Sequence, residues 1–280
     1  MMLTRRTLDA GSTQFSALIA GDPSHPWVLC LHGIPASAEL WRDVLPGLAA
    51  KGFHAVAPDL AGFGQTTYQR PSDTSLEANA DALCAFLERE HPAPIWWVGH
   101  DLGGAVTQLA LVRHRQRFAR LTLCNSPWQT SWPVPAVRQL RSLARLGLVP
   151  LLARLGLMTR KANTRALARA FADRSRLTPE LTQRVFWDSK VGAGRQAFGH
   201  FVAHLDEVNF ARQTTTLPVD GLPTQLTWGL ADPYQPWATV GVSLAAALGT
   251  PRVDRLEGVG HFVPAEAPDA LVSSLLAFAS

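Results

Sequence analysis

The sequence predicts an α/β fold: a doubly wound, mostly parallel sheet with an inserted helical cap. Two observations carry this prediction. Short apolar runs alternate with helical patterns over residues 27–125 and resume after residue 224, which is typical of consecutive βαβ units. Between these parts, residues 127–217 show helical patterns and few strand signals. We therefore expect an α/β core formed by residues 1–126 and 218–280, with residues 127–217 as the cap.

Residues 27–31, which are apolar and flanked by Pro26 and Gly33, show the pattern of a buried parallel strand. The predicted strands are residues 27–31, 54–59, 94–98, 121–125, 224–229 and 252–256, after an N-terminal hairpin over residues 3–20. The predicted helices are residues 41–50, 75–90, 105–112, 137–145, 150–158 and 268–278.

The composition is that of a globular protein, with 47% hydrophobic and 17% charged residues in 280. No apolar run approaches the roughly 20 residues of a membrane span, so no membrane partner is expected. The apolar piece after Arg5-Arg6 is too short for an export signal. Three widely spaced cysteines, two of them (Cys30 and Cys124) in predicted core strands, indicate buried reduced thiols. We expect a cytoplasmic protein, either a monomer or a homodimer.

The positive charge is concentrated in the predicted cap. Residues 127–217 contain 14 Lys or Arg and 5 Asp or Glu, whereas the rest of the chain is net negative. The arginines follow helical spacings with leucines between them, which favours a solvated helix face and not a nucleic-acid surface. Weak attraction of anionic substrates is the second interpretation.

The segment Gly99-His100-Asp101-Leu102-Gly103 lies between a buried strand and a helical run. This is the layout of a strained turn whose glycines allow one side chain to stand at the edge of the sheet. The side chain at its centre is Asp101. A carboxylate at this place favours attack on saturated or strained carbon over attack on acyl carbon.

This turn resembles the nucleophile elbow of the α/β-hydrolase superfamily, specifically its aspartate-nucleophile branch of epoxide hydrolases and haloalkane dehalogenases. Asp232 and His261 follow later predicted strands, in the superfamily's order of nucleophile, acid and base. The resemblance implies that Asp101 forms an alkyl–enzyme ester and that His261, oriented by Asp232, activates the hydrolytic water.

Two loops extend the resemblance. The segment His32-Gly33-Ile34-Pro35 is similar to the His-Gly-X-Pro loop of the superfamily, which implies that the amides of Ile34 and Leu102 form the oxyanion hole. The Gly-rich turn after Pro58-Asp59 is also similar, with Asp59 as a structural residue that holds the loop. No cofactor and no metal are implied, and no phosphate loop, dinucleotide fingerprint or zinc pattern is present in the sequence.

The leaving group is less well specified. Haloalkane dehalogenases generally place a tryptophan after the nucleophile, where this chain has Leu102, and Ile34 stands where they often have asparagine. Fluoroacetate dehalogenases place an arginine after the nucleophile. A halide would therefore need indole donors from elsewhere in the chain. The candidates are Trp128, Trp132 and Trp187.

Epoxide hydrolases usually protonate the epoxide oxygen with two cap tyrosines, but the two tyrosines of this chain, Tyr68 and Tyr234, lie outside the predicted cap. His200 and His204, four residues apart on one helix face, are the candidate acids. The remaining candidates for the substrate pocket, which we expect to take a small apolar organic substrate, are His32 and His100.

The sequence therefore favours epoxide opening by an aspartate nucleophile. A haloalkane or haloacid dehalogenase with the same mechanism is the first alternative. A catalytically silent binding module or a cyclase is the second, although retention of both His261 and Asp232 argues against it. An ordinary esterase is disfavoured, because an aspartate that attacks acyl carbon forms a mixed anhydride.

Overall fold

The computed structural model describes residues 2–132, 135–148, 164–165, 167–187 and 193–280. Within them, nine strands form one sheet in the order β1-β2-β4-β3-β6-β7-β8-β9, and the short β5 pairs with β2. The strands are Thr4–Asp9 (β1), Thr13–Ala20 (β2), Trp27–Leu31 (β3), His54–Pro58 (β4), Thr67–Tyr68 (β5), Ile95–His100 (β6), Phe118–Cys124 (β7), Thr224–Gly229 (β8) and Arg252–Leu256 (β9).

The α-helices of the described residues pack around this sheet and in the inserted region. They are Leu45–Ala49 (α1), Leu76–Glu90 (α2), Leu102–Arg113 (α3), Pro135–Arg145 (α4), Pro179–Leu181 (α5), Ala193–Ala203 (α6), Glu207–Gln213 (α7), Val242–Ala247 (α8), Val263–Glu266 (α9) and Pro268–Ala279 (α10). Five 3-10 turns and two π-helical segments add Ala38–Trp41, Pro71–Thr74, Arg115–Arg117, Gln129–Ser131, Arg174–Arg176, Thr182–Trp187 and Trp237–Gly241.

The sheet is mostly parallel, which confirms the predicted fold class. Strands β4, β3, β6, β7, β8 and β9 run parallel, and β1 and β2 are antiparallel at one edge. The chain passes from β3 outward to β4 and then returns to place β6 on the other side of β3. This reversal creates a crevice at the carboxyl ends of β3 and β6, where open α/β sheets bind their ligands.

The predicted strands 27–31, 224–229 and 252–256 coincide with β3, β8 and β9. The predicted helix over residues 41–50 is wrong in extent, because the chain forms a 3-10 turn and then the five-residue α1. Pro46 lies in the first turn of α1, where a missing N–H is tolerated. The predicted helix over 150–158 lies outside the described residues.

Helix α3 begins at Leu102, three residues before the predicted start, and its second residue, Gly103, packs directly against the end of β3. A Cβ atom on Gly103 would overlap the backbone carbonyl oxygens of Leu31 and His32. Glycine at this position therefore lets the start of α3 approach the end of the neighbouring strand. This approach brings the turn at Asp101 next to the loop that follows β3.

That loop is held from the other side by Asp59, which is buried after β4. Its carboxylate accepts hydrogen bonds from the amides of Ala38 and Gln65 at 2.7 and 2.9 Å. Arg5, on the edge strand β1, forms an ion pair with the same carboxylate at 3.0 Å. Asp59 thus ties three chain segments together, as expected of a structural residue.

The described parts of residues 127–217 contain helices and turns and no strand. Helices α4 and α6 pack together, and Arg145 of α4 donates hydrogen bonds to the carbonyls of Ala203 and Leu205 at 3.3 and 3.4 Å. Guanidinium groups at this place complement the carbonyl end of α6. The cap boundaries at residues 127 and 217 stay a prediction.

In the described part of the chain, no helix has the length and apolarity needed to cross a membrane.

Replacement of Gly103 by alanine should destabilise the protein, since the added Cβ meets backbone atoms that cannot move without shifting β3. We expect a loss of about 1–3 kcal/mol in the free energy of unfolding, measured by urea denaturation. Gly199→Ala, in α6, is the matched control because a Cβ there meets no atom within 4 Å. This control should raise stability by about 0.5–1 kcal/mol, as expected for Gly→Ala inside a helix. Equal effects of the two substitutions would contradict the packing argument.

Candidate active site

Asp101 stands at the turn between β6 and α3, with a backbone φ of 48° and ψ of −125°. A non-glycine residue in this region is strained by roughly 1–3 kcal/mol. The turn persists because its neighbours fit closely. The amide of Asp101 donates to the carbonyl of Cys124 at 3.2 Å, and a Cβ on Gly104 would overlap Ser126. This backbone conformation directs the Asp101 side chain towards the loop that follows β3.

The carboxylate of Asp101 meets the amides that the sequence predicted for the oxyanion hole. The amide of Ile34 donates to Asp101 Oδ2 at 2.8 Å, and the amide of Leu102 also lowers the pKa of this carboxyl group. A Cβ on Gly33 would overlap the Asp101 side chain. Glycine at position 33 is therefore required for this contact. The structure brings Ile34, Leu102 and Asp101 together as predicted from the sequence.

His261 lies between two carboxylates. Its Nδ1 is 2.8 Å from Asp232 Oδ2, and its Nε2 is 3.9 Å from Asp101 Oδ1. All three side chains are at most 6% exposed. Asp232 follows β8 and His261 follows β9, so parallel strands bring them to the same edge of the sheet as Asp101. The geometry fits a His261 that donates through Nδ1 and faces Asp101 through Nε2.

The charges in this cluster shift the pKa values in different directions. Burial lowers the pKa of His261, but the charge and hydrogen bond of Asp232, with the charge of Asp101, outweigh this effect and raise it to about 8. Burial raises the pKa of Asp101, and the positive charge of His261 and two amide hydrogen bonds oppose this rise. Burial also raises the pKa of Asp232, but His261, Asn125 and the Tyr234 amide outweigh this effect and lower that pKa.

Asn125, at the end of β7, is a residue that the sequence analysis missed. It is fully buried with a φ of 40°. Its Nδ2 donates to Asp232 Oδ2 at 2.7 Å, and its Oδ1 accepts from the amide of Gly229 at 2.9 Å. Asn125 thus fixes Asp232 against the end of β8. A polar residue at the last position of the predicted strand over residues 121–125 was the available signal.

Tyr234 also lies at this cluster, although the sequence analysis considered only tyrosines in the cap. Its amide donates to Asp232 Oδ1 at 2.7 Å, and its ring stands edge-on to His261 with centroids 5.4 Å apart. Its position two residues after Asp232 was the signal that could have placed it here. The half-buried phenol adds a hydroxyl group to the surroundings of His261.

The two histidines that were candidates for the substrate pocket use their rings to hold the backbone. His32 is fully buried, with Nδ1 2.9 Å from the Gly33 carbonyl and Nε2 accepting from the Leu60 amide at 3.0 Å. The Nε2 of His100 is 2.8 Å from the His261 carbonyl. Burial and repulsion from His261 lower the pKa of His100 to about 3, so its ring is neutral. Both rings therefore hold loops of the site in place through hydrogen bonds to the backbone.

The candidate acids of the predicted cap have hydrogen-bond partners other than Asp101, Asp232 and His261. The Nδ1 of His200 is 2.9 Å from the hydroxyl of Tyr68, and the Nδ1 of His204 is 2.8 Å from the carbonyl of His200. Tyr68 belongs to β5, which pairs with β2, and β3 and β4 separate β2 from the strand that carries Asp101. The structure therefore joins His200 to Tyr68 and places neither in direct contact with Asp101.

Of the candidate halide donors, Trp128 and Trp132 are 5% and 3% exposed and lie in the segment after β7. Both belong to the same apolar cluster as Leu102. The Nε1 of Trp132 is buried without a hydrogen-bond acceptor among the described residues. The side chain of Trp187 lies outside the described part of the structure. In the described ranges, no group of three or more His, Cys, Asp or Glu residues could hold a metal ion.

Removal of the Asp101 charge should lower the pKa of His261 below about 8, because the nearby carboxylate favours the imidazolium. We expect this decrease in Asp101→Ala, measured by NMR titration of the His261 ring. Asp232→Ala should cause a larger decrease, since it removes a hydrogen bond together with a charge. An unchanged His261 pKa in Asp101→Ala would contradict the electrostatic coupling of the two residues.

Comparison with known proteins agrees with this architecture. A family model described as alpha/beta hydrolase fold matches residues 26–268. Epoxide hydrolase A of Mycobacterium tuberculosis strain H37Rv is 33% identical over 145 residues, which span 50% of this chain but only 44% of that protein. The putative hydrolase LipZ of M. tuberculosis is 28% identical over 264 residues, covering 92% of this chain and 89% of that protein.

The fold also matches solved structures. An alpha/beta hydrolase fold protein from Burkholderia ambifaria aligns with a TM-score of 0.80 at 23% identity, over 98% of this chain and 100% of that chain. A mostly parallel sheet, an aspartate at the turn after β6 and a family model that matches most of the chain all lead to one conclusion. The chain belongs to the α/β-hydrolase family.

Proposed function

We propose that this protein is a hydrolase that opens an epoxide through a covalent ester on Asp101. The observation that carries the proposal is the Asp101 carboxylate, which lies 2.8 Å from the Ile34 amide and faces the His261–Asp232 pair. Similarity to epoxide hydrolase A of M. tuberculosis supports the choice of substrate class. The absence of a tryptophan directly after Asp101 favours an epoxide over an alkyl halide as the substrate.

The two oxygens of Asp101 have different surroundings, which suggests separate roles in the first step. Oδ2 accepts the hydrogen bond from Ile34, whereas Oδ1 faces His261 Nε2. In our proposal Oδ1 attacks an epoxide carbon, and the carbon–oxygen bond of the ring breaks. The released alkoxide takes a proton, and Oδ2 becomes the carbonyl oxygen of the new ester.

In the second step His261 takes a proton from a water molecule, and the resulting hydroxide attacks the carbonyl carbon of the ester. Negative charge then develops on Oδ2, which already lies at the amides of Ile34 and Leu102. Collapse of this intermediate releases a diol and restores the Asp101 carboxylate. In this collapse the His261 imidazolium, which Asp232 stabilises, protonates the departing alkoxide. The carboxylic acid formed at Asp101 then loses its proton, which replaces the one donated to the substrate in the first step.

The charge of Asp101 couples the two steps. Before reaction, this carboxylate favours the protonated form of His261. Ester formation removes the negative charge, so the pKa of His261 falls and the neutral imidazole needed for the second step is favoured. His261 therefore becomes able to accept a proton at the stage when there is an ester to hydrolyse.

The proton for the alkoxide comes, in this proposal, from a histidine of the insertion. The Nδ1 atoms of His200 and His204 are engaged, so in our proposal the Nε2 of one of these rings donates the proton. Burial, with repulsion from His204, lowers the pKa of His200, so its imidazolium gives up a proton more readily.

Replacement of His204 by phenylalanine should reduce the rate of ester formation from epoxides, with a smaller effect on its hydrolysis, because the acid acts only in the first step. The measurement is single-turnover kinetics with an epoxide substrate. His114→Phe is a control, since His114 lies at the far end of α3 from Asp101. Full activity of His204→Phe towards epoxides would remove the assignment from this residue.

One observation favours the dehalogenase alternative. The Trp132 indole N–H is buried without an acceptor among the described residues, and such a donor can stabilise a halide ion. The chemistry at Asp101, Asp232 and His261 would be the same. The two functions differ only in the group that leaves the carbon atom.

His261→Gln should accumulate the ester, because it removes the base of the second step and leaves Asp101 in place. We expect intact-protein mass spectrometry to show an adduct after incubation with a mixed panel of epoxides and haloalkanes. An adduct with the full mass of an epoxide would support the proposed function. One that has lost a hydrogen halide would indicate a dehalogenase.

Asp101→Ala in the same His261→Gln background is the control and should show no adduct. If no adduct forms with any member of a broad panel, the proposed function is wrong. A silent binding module or a cyclase then becomes the better interpretation.

A further inference from the structure

The loop that carries His261 is bound to a short segment of the insertion. We refer to residues 170–173 as the strap. The His261 amide donates to the Ala170 carbonyl at 2.7 Å, and Phe171 stacks on Phe262 with ring centroids 5.6 Å apart. A Cβ on Gly260 would overlap the Ala170 carbonyl oxygen. The strap therefore packs on the backbone of His261 without space for another side chain.

Glu266 connects the strap to this loop. Its Oε2 accepts from the Gly260 amide at 3.0 Å, and its Oε1 accepts from the Asp173 amide at 2.9 Å. The residue is 5% exposed and lies in α9, directly after the histidine loop. Each oxygen thus serves a different chain segment: one the residue before His261, and the other the insertion.

Both side-chain oxygens of Glu266 accept hydrogen bonds from amides, which requires a carboxylate at this position. Glutamine has one acceptor oxygen, and its NH2 group would face the second amide N–H donor. No cation forms an ion pair with Glu266 among the residues that the structure describes. A buried carboxylate is costly unless hydrogen bonds satisfy it, and here backbone amides do so.

We propose that Glu266 is a positioning residue for the second step of the reaction. By joining Gly260 to the strap it holds the His261 ring where a water molecule can bridge Nε2 and the Asp101 ester. This inference rests on the proposed function. Asp101 and the amides of Ile34 and Leu102 belong to other loops, so ester formation does not depend on Glu266.

Single-turnover experiments with an epoxide separate the two steps. In Glu266→Gln and Glu266→Ala, the ester on Asp101 should form within about twofold of the wild-type rate. Its hydrolysis should slow by about 10- to 100-fold, as expected for a misplaced catalytic group. Ester formation is the internal control for folding, because only folded protein can react. Glu257→Ala, which removes an exposed carboxylate from the same loop, should leave both rates unchanged.

Two results would overturn the inference: hydrolysis at the wild-type rate in Glu266→Ala, or an equal decrease of both steps in Glu266→Gln and Glu266→Ala. A second measurement needs no substrate. The proton between His261 Nδ1 and Asp232 should give a downfield NMR signal that is lost or shifted in Glu266→Ala and retained in Glu257→Ala. If His261→Gln forms no ester, the proposed function fails. The NMR signal then decides the positioning role, and an unchanged signal rejects it.

Discussion

The burial of the Asp101 carboxylate is the constraint on which the rest of the site depends. A charged group that is 4% exposed at the end of β6 needs compensation, since it has lost almost all contact with water. The compensation comes from an amide of the loop after β3 and from His261 after β9. The two segments are far apart in sequence, so only the folded sheet can stabilise the negative charge of Asp101.

The close approach of these segments restricts which residue types can occupy the neighbouring positions. Gly33, Gly103 and Gly104 are needed because a Cβ on any of them would overlap a neighbouring chain segment. His32 and Asp59 hold the same loops through hydrogen bonds to backbone amides. Much of the polar chemistry around the site therefore positions backbone, and only a few side chains face the reacting group.

The insertion takes part in this arrangement. Its strap contacts the backbone of His261, and Glu266 joins the two by hydrogen bonds to both. In our proposal the insertion therefore contributes to hydrolysis of the ester as well as to substrate contact. In this proposal the parallel sheet and the helical segment after β7 both contribute to the position of His261.

Local patterns were sufficient for much of the fold and for the central residues of the site. The apolar run of residues 27–31 predicted β3, because strands covered on both faces have a distinctive composition. The segments predicted for β8 and β9 also coincide with the observed strands, although β9 contains three charged residues and is not buried on both faces. Asp101, Asp232 and His261 each follow a strand, so parallel topology alone brings them to one edge of the sheet. Asn125 also lies at the end of a strand, and Tyr234 lies two residues after Asp232. The role of each depends on which neighbours it contacts in the folded protein.

The sequence by itself determined the fold class, the turn at Asp101 and the set of residues at the carboxyl edge, because these follow from local periodicity and from glycine and polar residues at strand ends. Tertiary structure decided the rest. It turned His32 and His100 towards backbone carbonyls and amides, joined His200 to Tyr68 and placed Glu266 between the strap and the base. These choices depend on contacts between segments distant in sequence, and no local pattern encodes the distance between two such side chains.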